Sequence, residues 1–545
     1  MRGPEPKKAL LNIRPATVFR RPGLRTGLRV VAHLTAWLPF VVGPARLIRA
    51  GWRPVGDEAA IALRSWNSLT AQGPMVGQAT RLAHGVFDPG PLEYWLLAIP
   101  VHLDTAHGVV WGAALCCLVA CSLAVEAAWS VLGAAGGLCA SGLIVGLILW
   151  IPGIAVTPSW NPWFGSVFFI AALATAWAVM SGHRGWWPVL VITASIAAQV
   201  HLMFTVPSGV LAILALIVGL ADSIRGRRGY WWLLAGLIAG AACWSAPLIQ
   251  QYTSPDGNLG LLLRSSGAAT GPRTGGAFSL KALSAAMQPV PIWWKHPAAI
   301  YQLISSRSAG FAVAVLVLVA VAAVMAVRPL RCRPLGALAL VTVVISLGSL
   351  VTYSGIPVRD GTLNTLSYLI VMLFPIGVLS WLVVGSWAVL TGRLVLRHLP
   401  TTRLAGRAVP GAAPLAGLAA TALVAVGAIV ALAPQGHIVR GVTTDPAMAS
   451  TRAASRQIVR ALPGQPIALS IRDFNATALG RLTLGLTWAL TPDGFHVEIM
   501  RTRYARELGD RYVFRGEAIP LVKVRVRQHH TLVAVTRPTQ LASHS

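Results

Sequence analysis

Long apolar blocks separated by short polar segments are the dominant pattern along this chain. Each block runs for about 18 to 25 residues, and a helix of that length crosses a hydrocarbon core about 30 Å thick. The blocks at 131–151, 231–249, 311–327 and 365–390 have the clearest bounds. This pattern predicts an all-α polytopic membrane protein rather than a soluble chain with several cores.

About eleven membrane-spanning helices account for the apolar blocks. We expect them near residues 30–48, 106–126, 131–151, 165–181, 188–205, 206–221, 230–249, 309–327, 336–353, 365–391 and 413–433. Alternate loops are rich in arginine, and so is the N-terminal segment, as is typical of the cytoplasmic side. We therefore predict a multi-pass protein of the cell (plasma) membrane. Its parts are a basic cytoplasmic tail (1–29), a transmembrane domain (30–433) and outer loops at 49–105 and 250–308.

Residues 434–545 have the polarity of a soluble domain, and an odd number of spans places them outside the cytoplasm. Their apolar spacing predicts strands at 466–471, 495–500, 519–526 and 531–536, and helices at 475–490 and 502–508. We expect a small α/β extracytoplasmic domain. From His437 onward it contains 15 basic and 7 acidic residues, a net charge of +8. That charge fits either a solvated basic surface or contact with anionic headgroups or an anionic polymer.

The amino-acid composition and the absence of certain motifs exclude several classes of function. The chain is 55% hydrophobic and 11% charged, with a formal net charge of +28. Arginine-rich cytoplasmic loops explain the positive charge in a membrane protein, so we expect no nucleic-acid partner. The 6 cysteines lie mostly in apolar runs without metal-ligand spacing, which argues against a disulfide framework or a zinc site. The sequence has no phosphate-binding loop, dinucleotide fingerprint or HExxH motif.

Polar residues near the ends of the apolar blocks accumulate on the predicted extracytoplasmic side. These residues are Asp57, Glu58, Arg64, Asp88, Glu93, Asn161, His201, Gln250, Gln251, Asp256, Asn258, Arg264, Arg359 and Asp360. Ionisable side chains at membrane depth are costly and tend to face a cavity or one another. Their one-sided distribution predicts a polar cavity that opens outward.

Two adjacent acids, Asp57 and Glu58, are prominent in a chain with 17 acidic residues. A carboxylate in a partly dry cavity can act as a general base on a hydroxyl, because desolvation raises its pKa. Arg64 follows Asp57 by two helical turns on the same face, and a guanidinium matches the oxygens of a phosphate leaving group. The alternative interpretation is an interfacial helix with a solvated acid pair.

Three other segments contain candidates that each have a structural alternative. Asn161 precedes a proline at the start of a span, where it suits a helix cap. His201 is an ionisable group in an apolar segment, and the alternative there is a satisfied core histidine. The loop 250–308, which contains Gln251 and Asn258, is either a lid over the cavity or a plain connector.

Five short motifs follow one another between residues 50 and 265. They are the acid pair Asp57-Glu58, the segment Phe87-Asp88-Pro89-Gly90-Pro91-Leu92 with Tyr94, the helix start Asn161-Pro162, the pair Gln199 and His201, and Gln251 followed by Gly257-Asn258-Leu259. In this order they resemble the GT-C class, which are integral membrane glycosyltransferases that use polyprenyl-phosphate sugars. The resemblance is to actinobacterial-type members related to the protein mannosyl-, aminoarabinose and arabinofuranosyl transferases. It covers the whole chain by architecture.

The resemblance implies a GT-C-like fold and transfer of a sugar from a polyprenyl-phosphate donor to a cell-envelope acceptor, either a glycan, a lipid or a protein. Asp57 would take the position of the class's general base. Asp88 stands where related proteins often have histidine. Some members bind a divalent cation, Mg²⁺ or Mn²⁺, and Asp57 and Asp88 are the candidates here, although no pattern demands one. The substrate-binding candidates are Glu58, Arg64, Asp88, Asn161, His201, Gln251, Asn258, Arg264 and Arg359.

Two other functions stay open at this point. A polytopic transporter or lipid flippase would place ionisable groups near mid-membrane and contain paired repeats of broken helices, whereas here the groups crowd one side. A non-catalytic scaffold of the envelope machinery would act through its C-terminal domain. If the protein is a transferase, Arg64, Arg264 or Arg359 would stabilise the departing phosphate.

Overall fold

Helices dominate the structure, and a small sheet lies near the C-terminus. The structure is a computed structural model, and it describes residues 22–80, 85–226, 230–268, 272–288, 304, 306–327, 330–356, 367–398, 412–462, 464–472, 476–500, 508–515, 519–527 and 530–536. The helices of the membrane part are α1 (Pro22–Arg49), α2 (Asp57–Asn67), α3 (Leu92–Leu103), α4 (Gly108–Leu132), α5 (Ala134–Trp150), α6 (Gly153–Val156), α7 (Asn161–Met180), α8 (Trp187–Val200), α9 (Leu202–Gly226), α10 (Trp231–Thr253), α11 (Asn258–Ala268), α12 (Gly275–Met287), α13 (Ala309–Val327), α14 (Arg333–Ser354), α15 (Leu373–His398) and α16 (Ala412–Val430). Short 3₁₀ turns cover Arg184–Trp186 and Ser367–Met372.

Among the described residues, nine helices are long and apolar enough to cross a membrane. Two further predicted spans, 131–151 and 188–205, correspond to the shorter helices α5 and α8, which have 17 and 14 residues. The fold class predicted from the apolar blocks, an all-α polytopic bundle, is therefore confirmed. The predicted span 309–327 has the same bounds as α13.

The break between the fifth and sixth predicted spans lies earlier than the sequence pattern indicates. The predicted spans 188–205 and 206–221 place the break between residues 205 and 206, but these residues lie inside α9, and the chain breaks at His201 instead. His201 has an extended backbone, with φ −154° and ψ 132°. The next amide, Leu202 N, donates to the Asp88 carboxylate over 3.0 Å. A side chain from a distant loop thus holds the start of α9, since the first amides of a helix have no partner within it.

Helix α7 is the centre of the bundle. Of its most apolar window, 89% is buried inside the protein, the highest share among the nine spans. It packs mainly against α4 and α8. Because α7 begins at Asn161, the Trp160-Asn161 pair lies at the N-terminal end of this buried helix, and Trp160 contacts Asp57 of α2.

The C-terminal domain is a four-stranded sheet with helices. Its strands are β1 (Ile467–Arg472), β2 (Val497–Ile499), β3 (Leu521–Arg527) and β4 (His530–Thr536), and its helices are α17 (Gln435–Thr443), α18 (Pro446–Ala461) and α19 (Ala476–Leu490). The strand order is β2-β1-β3-β4, with β1 parallel to β2 and β3, and β4 antiparallel to β3. All four predicted strands and the helix 475–490 are found. The sequence pattern missed α18, and most of the predicted helix 502–508 lies outside the described residues.

The C-terminal domain packs directly on α2. Gly56 N donates to the Arg481 carbonyl over 3.2 Å, and the buried Asn67 amide donates to the Tyr512 hydroxyl over 2.8 Å. Trp66 packs edge-on against Trp488 of α19, with 6.1 Å between the ring centroids. Both ends of α2 are therefore tied to the C-terminal domain, so the helix that begins with the acid pair has little freedom to move.

The long loop at 250–308 contains two helices, α11 and α12. Thr274, before α12, joins the loop to the end of α14 through the Ile356 carbonyl, which accepts from Thr274 N over 3.1 Å. Residues 289–303 of this loop lie outside the described residues, and the lid hypothesis stays a prediction.

Candidate active site

The acid pair begins α2, and the local geometry follows from Gly56. Gly56 has φ 62°, a left-handed conformation that suits glycine because it has no Cβ. The chain therefore turns sharply and places Asp57 and Glu58 in the first helical turn, where the helix dipole favours negative charge. Asp57 is exposed, and its Oδ2 accepts a hydrogen bond of 3.0 Å from the Trp160 indole. The carboxylate is thus accessible and held in one orientation.

An aromatic wall connects Asp57 to His201. Trp160 packs edge-on against Tyr368, with 5.2 Å between the ring centroids. Tyr368 packs in the same way against His201, at 5.5 Å. Trp160, Tyr368 and His201 are each half-buried. Two of the residues expected to share a cavity, Asp57 and His201, therefore stand at opposite ends of one aromatic wall.

Asp88 is buried behind this wall, where it is part of a hydrogen-bond network. One carboxylate oxygen accepts from Leu202 N over 3.0 Å, and the other lies 3.5 Å from the Asn161 amide. Asn161 also donates to the Val200 carbonyl over 3.2 Å. Burial raises the pKa of Asp88 well above its ordinary range. Both side chains hold the starts of α7 and α9 together, which is a positioning role.

Asn258 and Gln251 shape the neighbouring loop. Asn258 is buried and forms two hydrogen bonds with Phe87: Phe87 N donates to Oδ1 over 2.9 Å, and Nδ2 donates to the Phe87 carbonyl over 3.0 Å. Gln251 Oε1 accepts from Gly260 N over 2.9 Å. The structure thus brings Asn258 to the Asp88 segment, while the amide oxygen of Gln251 is used within its own loop.

Of the candidate arginines, Arg64 is buried and Arg264 is exposed. Arg64 is buried, and its guanidinium lies 5.0 Å from the centroid of the Tyr94 ring and 5.8 Å from that of Phe87. Arg64 and Asp57 are two turns apart on α2, but one is buried and the other exposed, so they do not present their charges to one solvent-filled space. Arg264 is exposed and pairs with Asp256 over 3.8 Å. Arg359 lies outside the described residues.

The sequence pattern missed two members of the wall. Trp160 is adjacent to the candidate Asn161, but no local signal in the sequence connects it with Asp57. Tyr368 lies in a 3₁₀ turn that follows a break in the described residues, and no local signal connects it with His201. Only packing of the distant elements identifies both residues.

Burial changes the pKa of Glu58, the second residue of the acid pair. Glu58 is half-buried beneath the C-terminal domain. Burial, and then the charge of Asp57, raise the pKa of Glu58 from 4.5 to about 7, while the Arg481 guanidinium acts in the opposite direction. Arg481 itself pairs with Asp445 over 2.5 Å. Glu58 therefore titrates near neutral pH.

We predict that this titration makes the fold less stable as pH rises. Between about pH 4.5 and pH 7 the folded protein holds a proton on Glu58 that the unfolded chain has lost. The contribution of Glu58 to the free energy of unfolding is therefore highest below about pH 4.5 and falls through that window. In Glu58→Gln the fall should be smaller, measured as the thermal midpoint of the detergent-solubilised protein from about pH 5 to about pH 7.5. Asp493→Asn, at an exposed acid of the C-terminal domain, is the control and should keep the wild-type slope; a wild-type slope in Glu58→Gln would contradict the assignment.

A divalent cation has no ready-made site in the described part of the chain. No group of three His, Cys, Asp or Glu side chains converges there. Asp57 Oδ2 accepts from Trp160, and Asp88 Oδ1 accepts from Leu202 N. Each of the two carboxylates thus has an oxygen that accepts from a protein donor, and a Mg²⁺ or Mn²⁺ ion shared by Asp57 and Asp88 stays a prediction.

The architecture is a helical bundle followed by a small α/β domain. Two solved structures of ArnT from Cupriavidus metallidurans, an aminoarabinose transferase, share it. The structure bound to undecaprenyl phosphate has 15% sequence identity and a TM-score of 0.52, over 95% of this chain and 98% of that one. The apo structure has 16% identity and a TM-score of 0.51, over 94% and 98% of the two chains. No family model matches the chain, and no curated protein matches its sequence. The resemblance inferred from the five motifs is thus confirmed at the level of the fold.

Proposed function

We propose that this protein transfers a sugar from a polyprenyl-phosphate donor to an extracytoplasmic cell-envelope acceptor, with Asp57 as the general base. One observation supports this proposal above the others. Asp57 is an exposed carboxylate, oriented by Trp160 over 3.0 Å, at the first loop of the bundle. The solved ArnT structure with the same fold contains undecaprenyl phosphate, which makes a polyprenyl phosphate the reasonable donor class.

The proposed reaction is a displacement at the anomeric carbon. Asp57 accepts the proton of the acceptor hydroxyl, and the hydroxyl oxygen bonds to the anomeric carbon. The bond between that carbon and the phosphate oxygen breaks, and polyprenyl phosphate leaves with the electron pair. Asp57 then releases its proton to water. Cationic side chains offset the charge of the leaving phosphate, with Arg264 and Arg359 as the candidates, since Arg64 is buried.

The aromatic wall gives the sugar a place beside the base. Tryptophan and tyrosine present an apolar face together with a polar group, which suits the apolar face of a sugar ring. Trp160 both lines this place and orients Asp57. His201 closes the far end of the wall. Asp88, Asn161 and Asn258 act behind the wall by holding its backbone in position.

The placement of the polar groups favours a transferase over a transporter. Asp57, Asp88, Asn161 and His201 all gather where helices begin or break at one end of the bundle. A transporter places its binding groups near the bilayer midplane. A scaffold would not need an exposed carboxylate oriented by an indole.

We expect the purified protein to release polyprenyl phosphate in detergent. The assay combines the protein with a lipid extract of its own membranes as the source of donors and acceptors, and follows the conversion of polyprenyl-phosphate sugars to polyprenyl phosphate by mass spectrometry. Detergent micelles have no leaflets, so a flippase gives no chemical product there. Absence of turnover in micelles, together with movement of the intact donor between leaflets in reconstituted vesicles, would support the flippase instead.

A further inference from the structure

Three arginines meet at the junction between the membrane part and the C-terminal domain. We call Arg53, Arg452 and Arg456, together with His107, the seam cluster. Arg53 follows α1 and His107 precedes α4, and Arg53 Nη1 lies 3.0 Å from His107 Nε2. Arg452 and Arg456 are one turn apart on α18. All three arginines are exposed and His107 is half-buried.

The seam cluster lies at the membrane surface. The first candidate span ends at Arg49, and the second begins at Gly108, so Arg53 and His107 are within a few residues of the ends of two packed antiparallel spans. Arg53 N approaches Met448 Sδ of α18 at 3.3 Å. The Arg452 guanidinium lies 3.5 Å from where a Cβ on Gly51 would be. Helix α18 therefore lies against the chain between the two spans, at the depth of lipid headgroups.

Among the described residues, no carboxylate lies within 4.0 Å of the three arginine side chains of the seam cluster. In the part of the chain that the structure describes, Asp104 is the only carboxylate within 4.0 Å of any member, and it lies 3.5 Å from His107. Asp104 already accepts hydrogen bonds from Ala106 N and His107 N. Burial, and then the charges of Arg53 and Arg456, lower the pKa of Arg452. The positive charge of Arg452 is therefore repelled by the charges of Arg53 and Arg456.

His107 has no net charge to add to this repulsion. Burial, and then the charge of Arg53, lower the pKa of His107. The neutral ring donates from Nδ1 towards Asp104 and accepts from Arg53 with Nε2, which matches the two distances of 3.5 and 3.0 Å. Arg53 is thereby oriented at the membrane side of the cluster, across from the two arginines of α18.

We propose that the seam cluster binds the phosphate of an anionic membrane phospholipid and so fastens the C-terminal domain to the bilayer. A phosphodiester has oxygens for several guanidinium forks, and arginine is the side chain best matched to them. The acyl chains would enter the bilayer beside α1 and α4. An anionic headgroup at this depth is attracted by each nearby cation of the protein.

Lipid binding at the seam cluster would also restrain the candidate active site, because a series of contacts connects α18 with the start of α2. Asp445 caps the N-terminus of α18 through Ala447 N and pairs with Arg481. The Arg481 carbonyl accepts from Gly56 N, the residue before Asp57. A lipid held by α18 therefore restrains the same unit that sets the start of α2.

The test uses the full-length protein in a neutral detergent and measures lipid binding by native mass spectrometry. The probes are dioctanoyl-phosphatidylglycerol, dioctanoyl-phosphatidylcholine and inorganic phosphate. We expect phosphatidylglycerol to bind at least about tenfold more tightly than phosphatidylcholine, because the choline cation is repelled. The double variant Arg452→Gln/Arg456→Gln should lose about tenfold or more in affinity for phosphatidylglycerol, since two charge-assisted contacts are removed.

Two matched variants make the result specific. Lys523→Gln/Arg525→Gln removes the same charge from β3, where these exposed residues alternate with the buried Val522 and Val524; it should bind like wild type. Arg452→Lys/Arg456→Lys keeps the charge and should retain most of the affinity, which separates binding from misfolding. The proposal is overturned by equal binding of the two lipids, by competition from inorganic phosphate in the same concentration range, or by equal losses in the α18 and β3 glutamine variants.

Discussion

Asp57→Asn will reduce sugar transfer by about 10²- to 10⁴-fold, the range by which a positioned general base accelerates a reaction. The amide keeps an oxygen that can accept from the Trp160 indole, so the side chain stays in place, but it cannot take a proton from the acceptor. Release of polyprenyl phosphate by the purified variant measures the loss. Analysis of envelope glycans in a deletion strain complemented with the variant provides the second readout.

The control for Asp57→Asn is Trp160→Phe. Phenylalanine preserves much of the aromatic wall but removes the hydrogen bond to Asp57, so the rate should fall by roughly tenfold or less, as expected for one lost hydrogen bond. A deletion strain whose glycans are restored in full by Asp57→Asn would remove Asp57 from the catalytic role. Equal rate losses in the two variants would indicate that Asp57 is important for its position and not for its proton affinity.

Asp88→Ala will destabilise the protein by about 1–3 kcal/mol or more, since that is the cost of one buried donor left unpaired. Leu202 N loses its acceptor, and the Asn161 amide loses one acceptor but keeps the Val200 carbonyl. The start of α9 then loosens, and His201 shifts with it. The thermal midpoint of the detergent-solubilised protein should fall sharply, and transfer activity should fall with it.

Asp88→Asn is the matched control. Because burial raises the pKa of Asp88, a neutral side chain of the same shape should be tolerated, with an oxygen still available to Leu202 N. We expect a small change in midpoint and most of the activity. An Asn variant that is stable but inactive would instead place Asp88 in contact with substrate, and a stable, active Ala variant would refute the positioning role.

Local sequence patterns were sufficient to predict most helices and strands of this protein. Apolar blocks long enough to span a bilayer predicted the helices, and alternation predicted all four strands of the C-terminal sheet. The order of five polar motifs predicted a fold that the solved ArnT structures share. It also predicted Asp57 as the general base, which stays a prediction. Such signals are local, because hydrophobic periodicity and turn residues act over a few neighbouring positions.

Only the tertiary structure decided which distant side chains meet. It placed the Trp160 indole on Asp57 and buried Arg64 beneath Tyr94. It also placed the break between two spans at His201 and not between residues 205 and 206, and there Asp88 accepts from Leu202 N. The C-terminal domain braces α2 through contacts between residues more than 400 positions apart, such as Asn67 and Tyr512. These contacts depend on how whole helices pack, and no periodicity within a single segment encodes that.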